Sequence, residues 1–187
     1  MNINTQSPQC GKFLISEPFL PDPNFKRSVV YITEHNNQGT VGYILNRPLD
    51  TTLGAVINDL GELETNVRMG GPVQLDTLHF IHRIAELGDE ESKIAEGIYW
   101  GGDFEKLKVL ISQHKIKASD IQFFIGYSGW GVGQLEKEIG ENSWIVTEGP
   151  GDYIFSKKPE SIWKDILSTM GSKFEMISNY PEDPTMN

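Results

Sequence analysis

The sequence predicts a single-domain α+β protein, on three observations. The chain has 187 residues, close to one domain at roughly 150 residues each. Its mix of 38% hydrophobic, 22% charged and 10% aromatic residues is that of an ordinary soluble globular chain, which excludes a disordered, fibrous or collagenous protein. Short β-branched runs and amphipathic stretches follow one another without strict alternation, about eight strands and four short helices in all, which favours α+β over a doubly wound parallel sheet. A chain of this length buries roughly 70% of its unfolded surface, so no disulfide or metal staple is needed.

The elements follow in order. Lys12 to Ser16 reads as a short strand stopped by Pro18 and Pro21. Ser28 to Glu34 and Thr40 to Leu45 are β-branched and aromatic runs, and the polar link His35 to Gly39 makes them a hairpin. Thr52 to Leu60 has Leu53, Val56, Ile57 and Leu60 at helical spacing, with Thr52 as cap and Gly61 at the exit. Val67 to Met69 is a short strand ended by Gly70-Gly71-Pro72; Leu78 to Arg83 and Ile94 to Trp100 are further strands. Glu86, Asp89, Glu90 and Glu91 between them lack the interleaved spacing of a calcium loop and read as a solvated connection.

Asp103 caps a helix to about His114 with Phe104, Leu107, Leu110 and Ile111 on one face. Ile121 to Tyr127 is an apolar strand, followed by a Gly-rich turn and a helix through Ile139 with Val132, Leu135 and Ile139 inward. Trp144 to Thr147 and Tyr153 to Phe155 are short strands. Pro159 opens the last helix, whose Ile162, Trp163, Ile166, Leu167 and Met170 make an apolar stripe closed by Gly171. Residues 1–10 and 178–187 read as flexible ends around a domain spanning 11–177.

Sixteen basic against 26 acidic residues leave a net charge of −10, with a sequence pI near 4.8. That argues against direct nucleic-acid binding, where affinity comes largely from neutralising phosphates. No helix-turn-helix with a basic second helix is present either. The single cysteine, Cys10, builds no disulfide framework and no thiolate metal site, and fits a reducing cytoplasm. The start, Met1 to Gln9, has neither the basic nor the apolar region of a signal peptide, and no apolar run approaches the roughly 18 residues of a membrane span.

The segment Gly126-Tyr127-Ser128-Gly129-Trp130-Gly131-Val132-Gly133-Gln134 carries the most information about function. Glycines let a backbone take positive φ or approach another group closely, and free amides at the following helix start could receive an anion or carboxylate. The simpler reading is a tight turn with Trp130 at least half buried over it. Neither a phosphate-loop nor a dinucleotide spacing is present. Ser128 fits the first half of a nucleophile elbow, but Trp130 occupies the final Gly position, and no His follows Ser128. His35, His79, His82 and His114 have no ligand spacing: on one strand, His79 and His82 point to opposite faces. We expect no tightly held metal, no cofactor and no catalytic residue. Arg47, before Pro48, reads as exposed or paired with an acid such as Asp50, with the ability to hold a carboxylate bidentately.

Several segments together resemble one family. They are Gly11 to Ser16, Pro23-Asn24-Phe25, Ser28 to Tyr31, Gly42 through Asn46-Arg47-Pro48-Leu49, Gly70-Gly71-Pro72-Val73-Gln74, Gly101-Gly102-Asp103, Gly126 to Gly131, Gly133 to Glu136, and Trp144. In order and spacing, from about Gly11 to Gly171, this is similar to the YqgE/AlgH family of uncharacterised bacterial proteins. The resemblance implies a compact α+β domain with a mainly antiparallel, barrel-like sheet and a bacterial, cytoplasmic setting. It implies no established activity and no catalytic residues. Members are often labelled putative transcriptional regulators, and the family's pattern favours Ala at the position of Ser128.

Sequence and resemblance together favour a non-enzymatic binding or interaction module for a protein or small-molecule partner. Its candidate residues are Gly126, Tyr127, Ser128, Gly129, Trp130, Gly131, Gly133 and Gln134, with Arg47, Gly70 and Gly71. The alternatives are a transcriptional regulator acting through a protein partner, and an enzyme of unassigned reaction class.

Overall fold

The computed structural model describes residues 6–60, 63–156 and 158–180. Most of the two expected flexible ends, and Gly61, lie outside the described residues. Among the described residues, ten strands and five α-helices form one mixed domain.

Strands β1 (Phe13–Ser16), β2 (Val29–Asn36) and β3 (Gly39–Ile44) form where the short strand and the two β-branched and aromatic runs were expected, and β2 and β3 make the expected hairpin. β4 (Pro48–Thr52) was not foreseen, since Pro at a strand's first residue hides the signal. The helix expected over Thr52 to Leu60 is one turn, α1 (Leu53–Val56), followed by a separate 3₁₀ turn, Asn58–Leu60. Thr52 makes no side-chain capping bond and Val56 is solvent-exposed, so the apolar spacing there reports separate contacts and no continuous helix face.

β5 (Asn66–Met69) and β6 (Val73–His82) follow; β6 starts five residues earlier than expected, through a bulge between Val73 and Leu78 that leaves Leu75 exposed. The single strand expected over Ile94 to Trp100 is a small hairpin, β7 (Lys93–Ala95) and β8 (Ile98–Trp100), turned at Gly97. α2 (Phe104–Ser112) has the expected cap: the Asp103 carboxylate accepts the Lys106 N–H at 3.1 Å.

β9 (Ile121–Trp130) corrects the Gly-rich turn: residues 126–130 are strand, and the turn is confined to Gly131–Gly133 before α3 (Gln134–Gly140). Pairing with β3, at Gly42↔Ser128 and Thr40↔Trp130, extends the strand through glycines that local propensity reads as a loop. Val132, expected inward, is 74% exposed, because the helix starts beyond it. β10 (Trp144–Thr147) is as expected, whereas Tyr153 ends a 3₁₀ turn, Gly151–Tyr153, instead of starting a strand. α4 (Ile162–Thr169) buries its stripe, and an unforeseen α5 (Ser172–Ser178) follows Gly171.

The sheet runs β10-β1-β2-β3-β9-β6-β8-β7, with β4 and β5 beside it, and every pairing is antiparallel except β5 with β9. It curls until Ala95 of β7 lies near Gly11 ahead of β1. Among the described residues no ladder joins its two ends, so the sheet is open and the expected barrel does not close. The concave face and α4 enclose Phe13, Tyr31, Tyr43, Phe124, Ile162 and Trp163. The opposite face near β1 to β3 packs Leu14, Ile32, Trp130 and Leu135 around Trp144. A third cluster lies under α2, from Leu107 to Phe123.

One topological feature decides where the glycines fall. Phe124 of β9 pairs in parallel with Arg68 of β5 and antiparallel with His79 of β6, so these sequence neighbours flank β9 on opposite sides. The link must cross two strand spacings, roughly 10 Å, and only Gly70, Gly71 and Pro72 make it, with little slack. β9 continues to Trp130, so the link lies across its face. A Cβ on Gly71 would stand 2.2 Å from the Tyr127 carbonyl, and one on Gly70 2.3 Å from the Gly126 oxygen. Gly126 itself has φ +64°, and its Cβ would stand 2.7 Å from the oxygens of Gly71 and Val73. Backbone contacts backbone here, and no side chain fits between.

Candidate functional site

The crossing divides the residues singled out in the sequence into buried and accessible sets. Ser128 is fully buried, and its hydroxyl donates to the Gly70 oxygen at 3.0 Å. Gly70, Gly71 and Gly126 are buried with it. Trp130, expected at least half buried, is 5% exposed and packs between Phe25 and Trp144. Ahead of α3, the Gly131 N–H donates to the side-chain oxygen of Gln134 at 3.0 Å and the Gln134 N–H donates to the Gly131 oxygen at 3.0 Å. Arg47 donates to the backbone oxygen of Lys26 and lines a different hollow, of about 240 Å³, with Met69 and Gly71. The proposed cluster is therefore not one surface.

Gly131, Gly133 and Gln134 are exposed at the turn into α3, and the accessible members on β9 are the half-buried Tyr127 and the exposed Gly129. Tyr127 and Gly129 line an open groove of about 420 Å³ between β9 and the β2–β3 hairpin, with Glu34, Asn36 and Val41. Gly129 is exposed and leaves the floor without a side chain; a Cβ there would sit 3.3 Å from the Tyr127 ring. Glu34 faces Val41 across the hairpin, after a register shift that follows Ile32. That bulge puts Glu34 on the concave side with Val41.

Behind Tyr127 stands an aromatic bank. The His79 ring meets Tyr127 edge-on at 5.9 Å and 84°, and stacks on Trp100 at 6.2 Å and 20°. Trp100 donates its indole N–H to the Tyr43 hydroxyl at 2.8 Å. Burial, opposed by that N–H, holds the Tyr43 hydroxyl above its ordinary value. Burial also holds His79 below its ordinary value, which favours a neutral ring hydrogen-bonded to Thr77. Cys10 reaches the same end of the sheet, donating to the Thr33 oxygen; burial and then Glu34 raise its thiol. Sequence reasoning missed Glu34, Val41 and Trp100, because they come from three strands that only sheet pairing unites.

The other unforeseen residue is Arg68. It is 4% exposed and donates to the oxygens of Leu45, Ile154 and Ser156 at 2.8, 3.0 and 2.6 Å. Burial lowers it to about 10, partly offset by Glu160. It backs a cleft of about 980 Å³, whose rim mixes Lys117 with Glu64 and Glu160. Its donors are engaged with backbone, so its work there is structural. Among the described residues no group of three His, Cys, Asp or Glu is placed to hold a metal ion, and no helix is long and apolar enough to cross a membrane.

Fold and groove define a small α+β protein with a curled, open, mainly antiparallel sheet and a shallow groove at one end of it. The chain belongs to the AlgH-like family (DUF179), whose model matches residues 13–175. It is 43% identical over 178 residues to a UPF0301 protein of Cytophaga hutchinsonii, covering 95% of this chain and 98% of that one. It is 40% identical over 177 residues to UPF0301 protein CT0663 of Chlorobaculum tepidum, covering 95% of each. Among solved structures, the AlgH protein of Pseudomonas aeruginosa matches with a TM-score of 0.71 at 26% identity, over 95% of this chain and 98% of that one. Protein DIP2367 of Corynebacterium diphtheriae matches in fold with a TM-score of 0.78 at 23% identity, over 94% of each chain.

Proposed function

We propose that this protein is a non-enzymatic binding module acting in a bacterial cytoplasm, and that its ligand-facing surface is the groove over Tyr127 and Gly129. The carrying observation is the exposed, side-chain-free floor at Gly129, walled by an aromatic ring on one side and the hairpin on the other. An apolar wall with a few convergent polar groups is the usual make-up of a recognition surface. The burial of Ser128 against Gly70 supports a non-catalytic reading, since its hydroxyl is already committed and out of solvent. The relatives in Cytophaga and Chlorobaculum and the single free thiol support the setting.

The test is an NMR screen of amide shifts with a mixed library of metabolites and short peptides, run on wild type and Gly129→Val. Gly129 has no positive φ and meets only the Tyr127 ring, so a β-branched residue fits the strand and fills the groove. Hits that move Val41, Tyr127 and Gly129 in wild type and fail on the folded variant support the reading. Hits confined to the Arg68 cleft, or unchanged by the substitution, overturn it.

A further inference from the structure

We infer that the groove takes an organic cation, a guanidinium or ammonium group carried on an extended segment of a partner protein. The inference rests on the groove being a binding site, and adds the chemistry of what it binds.

Charge is the first observation. The groove contains one carboxylate, Glu34, which is exposed, and no Lys or Arg lines it. With −10 on the whole chain, the surrounding field attracts a cation and repels an acid. The aromatic bank is the second. Of these rings Tyr127 lines the groove, and His79 and Trp100 continue the series behind it. A ring face carries negative electrostatic potential and draws a cation placed over it. The half-buried His79, held below its ordinary value by burial, favours a neutral ring that does not oppose that. Val41 on the floor suits the alkyl stem of a long basic side chain.

The third observation is the strand edge. The β6 ladder on β9 ends at Val73↔Tyr127, and among the described residues no strand continues it beside Gly129. Backbone groups alternate in direction along a strand, so Gly129 addresses the same side as Tyr127, two residues earlier. An extended segment entering the groove meets that edge and makes main-chain bonds to it, as strands added to sheet edges do. A free small cation gains nothing from the edge, and the groove is too open to enclose it.

The test is an NMR titration of the full chain with blocked pentapeptides having Arg, Lys, Gln or Glu between alanines, and with free arginine amide. Arg and Lys peptides are expected to shift Val41, Tyr127 and Gly129, and to bind about tenfold tighter than the Gln peptide. Glu34→Gln should remove most of that preference, and Tyr127→Leu should reduce it, while Gly129→Val abolishes the shifts for every peptide. If Gln or Glu peptides bind the groove as tightly as Arg, the cation inference is overturned and the binding site stands. If arginine amide binds as tightly as the Arg peptide, the extended-segment part is overturned. If no basic peptide shifts these amides while other library hits do, the inference falls and the broader reading survives.

Discussion

Trp130 and Trp144 donate their indole N–H groups to the same oxygen, Oε2 of Glu138, at 2.9 and 2.8 Å. Their rings meet edge to face at 5.7 Å and 84°. Trp130 ends β9 and Trp144 begins β10, so one carboxylate on α3 ties two strands that are not neighbours in the sheet. Gln134 steadies the other oxygen at 2.9 Å. The Trp130 indole is thus held between Phe25 and Trp144, and Tyr127, three residues earlier, lines the groove.

Glu138→Ala should therefore cost about 2–4 kcal/mol, since it strands two largely buried indole donors. Glu138→Gln, which keeps an acceptor oxygen, should cost less. Trp130→Ala should cost about 3–5 kcal/mol as a large-to-small core substitution. Urea unfolding checks all three. A Trp130→Ala midpoint near that of wild type contradicts the packing seen here.

Gly71→Ala should be more damaging than its size suggests. Its Cβ would lie 2.2 Å from the Tyr127 backbone, so the crossing must lift or β9 must bend. We expect a loss of at least about 3 kcal/mol, the range of severe single-site effects. Gly133→Ala is the control: Gly133 has φ +73° but nothing within 4 Å, and should lose only the roughly 1 kcal/mol of left-handed strain. Equal midpoints for the two variants, by thermal or chemical unfolding, would contradict the crossing.

Arg68→Met keeps the length and removes the donors. Three backbone oxygens, from Leu45, Ile154 and Ser156, lose their partner. The expected cost is about 3 kcal/mol, with faster hydrogen exchange over 151–156, because charged donors to buried acceptors are the strong ones. Unchanged exchange in that segment would show that Arg68 does not hold it.

Stability should fall with acid through His82. It is fully buried; its Nδ1 accepts the Ile84 N–H at 3.1 Å, which fixes Nε2 as the donor to the Gly101 oxygen at 2.8 Å. Burial, opposed by these two bonds, lowers its pKa below the ordinary 6.5. The unfolded chain therefore binds the proton first. The contribution is fully present above 6.5 and is lost as pH falls from there through the lower folded value. His79, also lowered by burial, acts with the same sign. Unfolding midpoints measured between about pH 7.5 and 5.5 should decline, and His82→Gln should flatten the decline. An equally steep decline in the variant would assign it elsewhere.

The sequence by itself determined the α+β class, the β2–β3 hairpin, the Asp103-capped helix and the apolar stripe of α4. Each rests on signals within a dozen residues, in periodicity, caps and turn composition, and local backbone physics suffices to read them. It also pointed to a Trp130 at least half buried, as it is. Tertiary structure alone decided that Gly126 to Trp130 is strand, that β5 and β6 straddle β9, and that Gly70 and Gly71 are the price of that crossing. It also placed Arg68 under three carbonyls, and set Glu34, Val41, Tyr127 and Gly129 around one groove. Most of these depend on contacts between segments far apart in the chain, such as Thr40 with Trp130 and Arg68 with Ile154. Alternation along a strand says which side chains share a face, but which strand lies alongside is settled by the packed sheet.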